Sequence, residues 1–135
     1  MQFARSLAPA VSQRANNIMK TLELICRLPG HLKNIQTKSP AQLVKESGYV
    51  HDERMLDIKE IYNYIRSHPE LLEEWTNYSG DKRSSNGWYF EIDDSVNIAE
   101  VGYYPKGEIF KFSDKFKACA KFIQLEITEI SLHAG

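Results

Sequence analysis

The chain has 135 residues, of which 42% are hydrophobic and 26% charged, values typical of one compact globular domain rather than of a disordered chain. No apolar run approaches the roughly 20 residues that cross a bilayer, so the composition predicts a soluble protein with no membrane partner. The net charge of −1 hides a segregation, with +6 over residues 1–45, −8 over residues 46–100 and +1 over residues 101–135. Either these regions attract each other within the fold, or the protein presents an acidic face to a basic partner.

Residues 1–38 form a basic segment that is predicted to be helical. Apolar side chains at helical spacing predict a helix that ends before Pro29; they are Val11, Ala15, Ile18, Leu22 and Ile25. Polar residues interrupt the first part of this segment, so a secretory signal is a poor fit. Cys26 and Cys119 each lie within a helical apolar pattern, which favours buried, reduced thiols in a cytoplasmic protein over a disulfide.

The region from residue 39 to residue 78 is predicted to form short helices. Ser39-Pro40 supplies an N-cap and a first-turn proline for a helix that Gly48 stops. An apolar stripe then predicts a helix over about Glu53 to Ser67, which Asp52 would cap. Pro69 ends that helix and opens another, from Glu70 to about Tyr78, with Glu70, Glu73 and Glu74 on its outward side.

Residues 87–112 alternate with a period of two, which predicts a β-meander. Trp88, Phe90 and Ile92 fall on one face of the first strand, and Tyr89 and Glu91 fall on the other. A turn at Asp93-Asp94-Ser95 leads to a strand over Asn97 to Tyr104, and a turn at Pro105-Lys106-Gly107 leads to a third over Glu108 to Phe112.

Ser113 is predicted to cap a last helix, residues 113–132, whose apolar stripe would cover one face of the meander. The predicted fold class is therefore α+β: N-terminal helices, a three-stranded antiparallel β-meander and a C-terminal helix packed on it. All of these elements belong to one domain, residues 1–135.

No residue pattern predicts a reaction, a metal site or a cofactor. The histidines, at positions 31, 51, 68 and 133, are not at metal-ligand spacing, and the chain has only two cysteines. His51 beside Asp52 and Glu53 is explained more simply by helix capping than by general-base catalysis. A divalent cation at Glu91, Asp93 and Asp94 is less favoured than a solvated hairpin tip.

Residues 75–104 hold both tryptophans and seven of the 15 aromatic residues. Trp75, Trp88 and Phe90 fall on apolar faces and are assigned to packing, whereas Tyr89 is predicted to be an exposed anchor. The loop from Asp81 to Asn86 is either a plain connection or a recognition loop in which Arg83 binds a partner's phosphate or carboxylate. Nucleic-acid binding is disfavoured because the acidic region would repel a phosphate backbone.

Short motifs between about Ser39 and Ile130 carry a resemblance to a known family. They are Ser-Pro-Ala-Gln-Leu-Val-Lys-Glu-Ser-Gly-Tyr (39–49), His-Pro-Glu-Leu (68–71), Trp75, Tyr78-Ser79, Asp-Lys-Arg (81–83) with Gly-Trp-Tyr-Phe (87–90), Val-Gly-Tyr-Tyr (101–104) and Ala-Cys-Ala-Lys-Phe-Ile (118–123). In these motifs and in the order of its elements, the chain resembles small immunity proteins of bacterial polymorphic toxin systems, of the contact-dependent inhibition and Rhs types.

The resemblance implies a non-enzymatic inhibitor that binds a cognate toxin domain in the cytoplasm, many such toxins being cationic nucleases. It gives the acids of residues 46–100 a purpose, since they would match a toxin's basic cleft. The predicted toxin contacts are Glu70, Glu73, Glu74, Asp81, Arg83, Tyr89, Glu91, Asp93 and Asp94. The rival hypotheses are a small hydrolase or nuclease using His51 or His68, and an adaptor that docks through the basic N-terminal helix.

Overall fold

A computed structural model describes residues 16–50, 56–81 and 86–133. Helical residues 16–26 (α1) are followed by α2 (Leu28–Asn34), α3 (Pro40–Glu46), α4 (Ile58–Ser67), α5 (Leu71–Asp81), β1 (Gly87–Asp93), β2 (Ile98–Tyr104), β3 (Ile109–Phe112) and α6 (Lys115–His133). The strands form an antiparallel sheet in the order β1-β2-β3, and α6 packs on it. The predicted α+β class is confirmed.

The inner face of the sheet, towards α6, carries the apolar positions predicted from the alternation. Across the strands, Phe90 pairs with Val101 and Val101 with Phe110. Phe90 stacks on Phe122 of α6, with ring centroids 5.8 Å apart and planes at 23°. Both rings are at most 1% exposed, so this contact forms the centre of the sheet–helix core.

Trp75 packs α5 against this core. Its side chain is fully buried, its Nε1 donates to the Cys26 carbonyl at 2.8 Å, and its ring meets Phe122 edge-on. Further along α5, the hydroxyl of Ser79 accepts from the Phe90 amide at 2.7 Å. Because this amide lies on the side of β1 away from β2, α5 satisfies part of the sheet edge that would otherwise be open to another chain.

Several predicted helix ends differ from the observed ones. Helix α4 begins at Ile58 rather than Glu53, and Asp57 caps it by accepting from the Lys59 amide at 3.2 Å; Asp52 lies outside the described residues. Helix α6 is capped by Asp114 rather than Ser113, since Asp114 Oδ1 accepts from the Phe116 amide at 2.9 Å. Tyr62 also donates to Asp114 at 2.9 Å, so tertiary packing selects the aspartate.

The N-terminal helix ends before Pro29, as predicted, but Pro29 then opens α2, a helix that the sequence did not predict. Helix α5 starts at Leu71, so Glu70 precedes it. Ser39 caps α3 by accepting from the Gln42 amide at 3.2 Å, and Gly48 follows at φ +86°, both as predicted. Asn97 belongs to the hairpin turn at φ +54°, not to β2.

Cys26 and Cys119 are both free and fully buried, as their apolar patterns predicted. Burial raises the pKa of Cys26 to about 12, although nearby Arg27 opposes the change, and burial raises the pKa of Cys119 well above its ordinary value. Within the described residues, every helix is too short or too polar to cross a membrane.

Candidate recognition surface

The face of the sheet opposite α6 is the outer sheet face, which consists of Tyr89, Glu91, Glu100, Gly102, Ile109 and Lys111. Alternation along each strand places these residues together, because partners in register share a face. Ile109 is 59% exposed and neighbouring Tyr104 is 48% exposed. Of the described helices, α6 packs on the inner face and α5 lies beside β1, so none of them covers this surface, on which Tyr89, Glu91 and Glu100 are partly exposed.

Tyr89 is fixed on this surface by two neighbours. Its hydroxyl donates to Glu100 Oε2 at 2.6 Å, a diagonal contact between β1 and β2. Its ring lies over Gly102, where an added Cβ would be 2.5 Å from the hydroxyl oxygen and 2.7 Å from Cζ. Gly102 therefore provides the space in which the ring lies, and Tyr89 is a partly exposed aromatic held in one orientation.

Two glutamates face each other next to this tyrosine. Glu91 of β1 is in register with Glu100 of β2, and Glu100 is in register with Lys111 of β3. Residues directly opposite in an antiparallel pair have Cβ atoms about 4.5–5.5 Å apart, and like charges there repel each other. The row thus places two carboxylates side by side at a partly exposed position, with one lysine beyond them.

A cleft of about 410 Å³ opens beside Tyr89. Its wall continues from the outer sheet face into the turn between β2 and β3, through Tyr104, Pro105, Lys106 and Gly107. Glu91, Glu100 and Ile109 also line it. The cleft combines aromatic, apolar and carboxylate groups, a composition suited to receiving a side chain of a protein partner.

The predicted acids of α5 lie on a different surface. Glu73 is exposed and Glu74 partly buried in the first turn of the helix, where their charges favour the positive end of the helix dipole. Glu74 and Asp81 line a second cleft, of about 610 Å³, between α5 and α2, which Lys33 also lines. Glu70 is exposed just before α5. The predicted contacts therefore divide between two surfaces.

The hairpin tip accounts for two more of the predicted contacts. Asp93 Oδ1 accepts from the Ser95 hydroxyl at 2.6 Å and the Ser95 amide at 3.1 Å. Both bonds lower the pKa of Asp93, and the bond from the Ser95 hydroxyl has the larger effect. Asp94 is exposed beside it. Asp93 therefore has a structural role in its turn, and Arg83, the remaining predicted contact, lies outside the described residues.

His68, one of the two histidines of the hydrolase hypothesis, has a structural role. Its Nδ1 lies 2.8 Å from the Tyr64 carbonyl oxygen, and its ring stacks on that of Tyr64 at 4.3 Å between centroids. It directly follows α4 as the C-cap residue. His51 lies outside the described residues. Over the ranges 16–50, 56–81 and 86–133, no three histidine, cysteine or acidic side chains are grouped to hold a metal ion.

Sequence reasoning missed four members of the outer sheet face, Glu100, Gly102, Ile109 and Lys111, and the neighbouring Tyr104. The places of Glu100 and Gly102 depend on the register of the hairpin, in which Asp93 pairs with Ile98 and the turn lies at residues 94–97 rather than at the predicted residues 93–95. No protein family, curated protein or solved structure matches the chain. The functional argument therefore rests on the geometry of the surface itself.

Proposed function

We propose that this protein is an immunity protein: it binds a basic bacterial toxin domain in the cytoplasm and neutralises it by occupying the toxin's active site or substrate surface. The observation that carries the proposal is the outer sheet face, where an immobilised tyrosine lies among carboxylates and exposed apolar groups. The resemblance of residues 39–130 to immunity proteins and the −8 balance of residues 46–100 also support it.

The fixed position of Tyr89 favours binding because little side-chain freedom remains to be lost. An interface loses about 0.5–1.5 kcal/mol for each flexible side chain that it orders, and the Glu100 hydrogen bond and the contact with Gly102 order this ring in advance. Tyrosine is among the residues that contribute most at protein interfaces. Ile109, 59% exposed in the same cross-strand row, adds apolar surface that binding would bury.

The acidic residues are expected to affect the rate of association and the choice of partner. Charge complementarity raises association rates and fixes the orientation of the encounter, and it weakens as salt increases. Glu73 and Glu74 on α5, together with Asp94 at the hairpin tip, would attract a cationic toxin towards the outer sheet face. Their contribution is expected mainly in the rate of association.

In this account the protein has no reaction of its own. The hydrolase hypothesis requires a histidine free to exchange protons with a substrate, whereas His68 is held against Tyr64 by a ring stack and a backbone contact. His68→Ala is therefore expected to reduce stability without removing protection against the toxin. The adaptor hypothesis rests on residues 1–30. Because Ile25, Cys26 and Leu28 are buried in the core, the test removes residues 1–15 only, and this removal is expected to leave toxin binding intact.

Co-expression tests the function directly. The toxins to use are the C-terminal domains of large secreted proteins encoded next to this gene. We expect growth to be rescued only when the protein is at least equimolar with the toxin domain, because a bound inhibitor is not recycled. Rescue at a small fraction of the toxin concentration would indicate catalysis and contradict the proposal, as would failure of rescue with every neighbouring toxin domain.

A further inference from the structure

We infer that this protein pairs with a second copy of itself through the open edge of β3, so that the two sheets join into one continuous antiparallel sheet. The copies are related by a two-fold axis at Phe110. The inference is independent of the proposed function, because it concerns an edge of the sheet, and the outer sheet faces of both copies stay uncovered.

The two edges of the sheet differ in how their backbone groups are satisfied. At the β1 edge, the Ser79 hydroxyl on α5 accepts from the Phe90 amide at 2.7 Å. At the opposite edge, no strand of residues 16–50, 56–81 or 86–133 pairs with the free side of β3. Ile109 and Lys111 are exposed there. Such an edge presents donors and acceptors that another strand can pair with.

The hydrogen-bond register shows which groups of β3 are open. The Tyr103 amide donates to the Glu108 carbonyl at 3.2 Å, which continues the β2–β3 register by one pair. Bonded and non-bonded pairs alternate along an antiparallel ladder, so Phe110 directs its amide and carbonyl towards β2. The amides and carbonyls of Ile109 and Lys111 therefore point away from β2, to the open edge.

A second copy of β3 matches this pattern of open groups. With the axis at Phe110, Ile109 of each copy is opposite Lys111 of the other, and every outward amide of one copy donates to an outward carbonyl of the other. An axis at Lys111 would place two lysines directly opposite each other, which is unfavourable. An axis at Ile109 would leave the Lys111 groups unpaired. The hydrogen bonding therefore selects one register.

The side chains support the same register. On the inner face, the partly exposed Phe110 ring meets its counterpart in a cross-strand aromatic pair. Lys121 Nζ lies 5.2 Å from the centroid of that ring, and the exposed Glu108 of the second copy takes the diagonal position beside it. The register thus brings opposite charges together at the edge of α6.

Lys111 does not block this pairing, although a lysine on an edge strand often does. It lies opposite Ile109 of the second copy, which is 59% exposed, and the apolar stem of the lysine can cover that side chain. The strand has only four residues, Ile109–Phe112, and small interfaces are transient. We therefore expect a weak dimer with a dissociation constant of roughly 10–100 µM.

Hydrogen exchange of the full chain, measured without toxin below and above this concentration, tests the register directly. Exchange at the Ile109 and Lys111 amides should slow most as concentration rises, because these amides gain bonds only in the dimer. The Phe110 amide already faces β2 and should change less. Sedimentation equilibrium should show a monomer and a dimer over the same range. A monomer at every concentration, or unchanged exchange at Ile109 and Lys111, would overturn the proposal.

A pair of charge variants at one position tests the identity of the neighbour. Ile109→Lys places a lysine opposite Lys111 of the second copy and should weaken the dimer roughly tenfold, whereas Ile109→Glu places a carboxylate there and should associate roughly tenfold more tightly than the lysine variant. Val96→Lys, at a turn residue that is also 59% exposed, is the matched control and should associate like the wild type.

Equal weakening by Ile109→Lys and Ile109→Glu would show that no lysine faces position 109, and equal weakening by Val96→Lys would show that the edge is not the contact. Either result overturns the proposal. The growth assay is separate from these measurements. A monomeric protein that protects against the toxin would leave the immunity function standing, and a dimer that gives no protection would leave only the edge pairing.

Discussion

Tyr89 lies over Gly102, so closely that a methyl group at position 102 would be 2.5 Å from the tyrosine hydroxyl oxygen. This contact determines how the Tyr89 ring lies on the outer sheet face. A larger residue at 102 would lift the ring away from the sheet and from Glu100, whereas glycine allows the ring to lie across β2. A strand interior is an unfavourable place for glycine, and the packing of Tyr89 provides a physical reason for it at this position.

Gly102→Ala is expected to destabilise the protein by about 1–3 kcal/mol, because the methyl group overlaps the Tyr89 ring and displaces it. Denaturant unfolding measures the loss. Gly80→Ala is the matched control: an added Cβ there meets no atom within 4 Å, and the residue lies within α5. It should stabilise the protein by about 0.5–1 kcal/mol. Equal effects of the two substitutions would contradict the described position of Tyr89.

Tyr78→Phe should cost about 1–3 kcal/mol, because Tyr78 donates at 2.6 Å to Glu126, a carboxylate that is 3% exposed deep in the fold. Tyr103→Phe is the comparison. Tyr103 makes a similar bond, at 2.9 Å, to Glu129, whose side chain is 26% exposed. Water can replace that donor more easily, so the loss should be smaller. Chemical unfolding of both variants at neutral pH would test the order, and a larger loss at Tyr103 would contradict it.

Stability should fall as pH rises above 9, because burial raises the folded-state pKa of Cys26 from its ordinary 9.0 to about 12. Below the pKa of the unfolded thiol, the thiol is protonated in both states and the protein has its full stability. Between that value and the folded-state pKa, the unfolded thiol releases its proton first, so the free energy of unfolding falls as pH rises. Each such group contributes a slope of about 1.4 kcal/mol per pH unit in this window.

Burial raises the pKa values of Tyr78 and Cys119 in the same direction. Cys26→Ala should therefore reduce the alkaline slope without abolishing it. Unfolding free energies measured between pH 7 and pH 11 for both proteins provide the comparison. Identical slopes would show that Cys26 is accessible to solvent in the folded protein.

Glu73→Lys with Glu74→Lys should slow association with a cationic toxin domain and reduce its dependence on salt, because Glu73 is exposed and Glu74 partly exposed in the first turn of α5. The same double change should also lower stability, by about 0.3–1 kcal/mol per residue, since it reverses two charges that favour the helix dipole. Stopped-flow association at two ionic strengths separates the effects. Unchanged kinetics would place α5 outside the interface.

Local patterns predicted the elements that depend on local chemistry. The alternation in β1 placed Tyr89 and Glu91 opposite Trp88 and Phe90 because a strand's side chains alternate whatever packs on them. The cap of α3 was also predictable, since Ser39 and the following proline act within one turn.

Other features depend on contacts between distant residues. Ser113 and Asp114 are both good caps, and the choice of Asp114 goes with a hydrogen bond from Tyr62, 52 positions away. Proline at position 29 is compatible with the end of one helix or the first turn of another. In the fold it lies in the first turn of α2, where Leu28 and Pro29 are buried. For the same reason, no single-strand pattern indicates that Glu100 holds Tyr89, because that contact depends on the register of the hairpin.

The central claim is that the outer sheet face binds the toxin, and an affinity comparison tests it most directly. Ile109→Arg places a bulky cation on this face, where the native residue is 59% exposed, and Met19→Arg makes the same change at a residue of α1 that is 66% exposed. Titration calorimetry with a toxin domain against which the protein gives protection should show a loss of roughly 100-fold or more for Ile109→Arg and no change for Met19→Arg. Wild-type affinity in the Ile109 variant would contradict the claim.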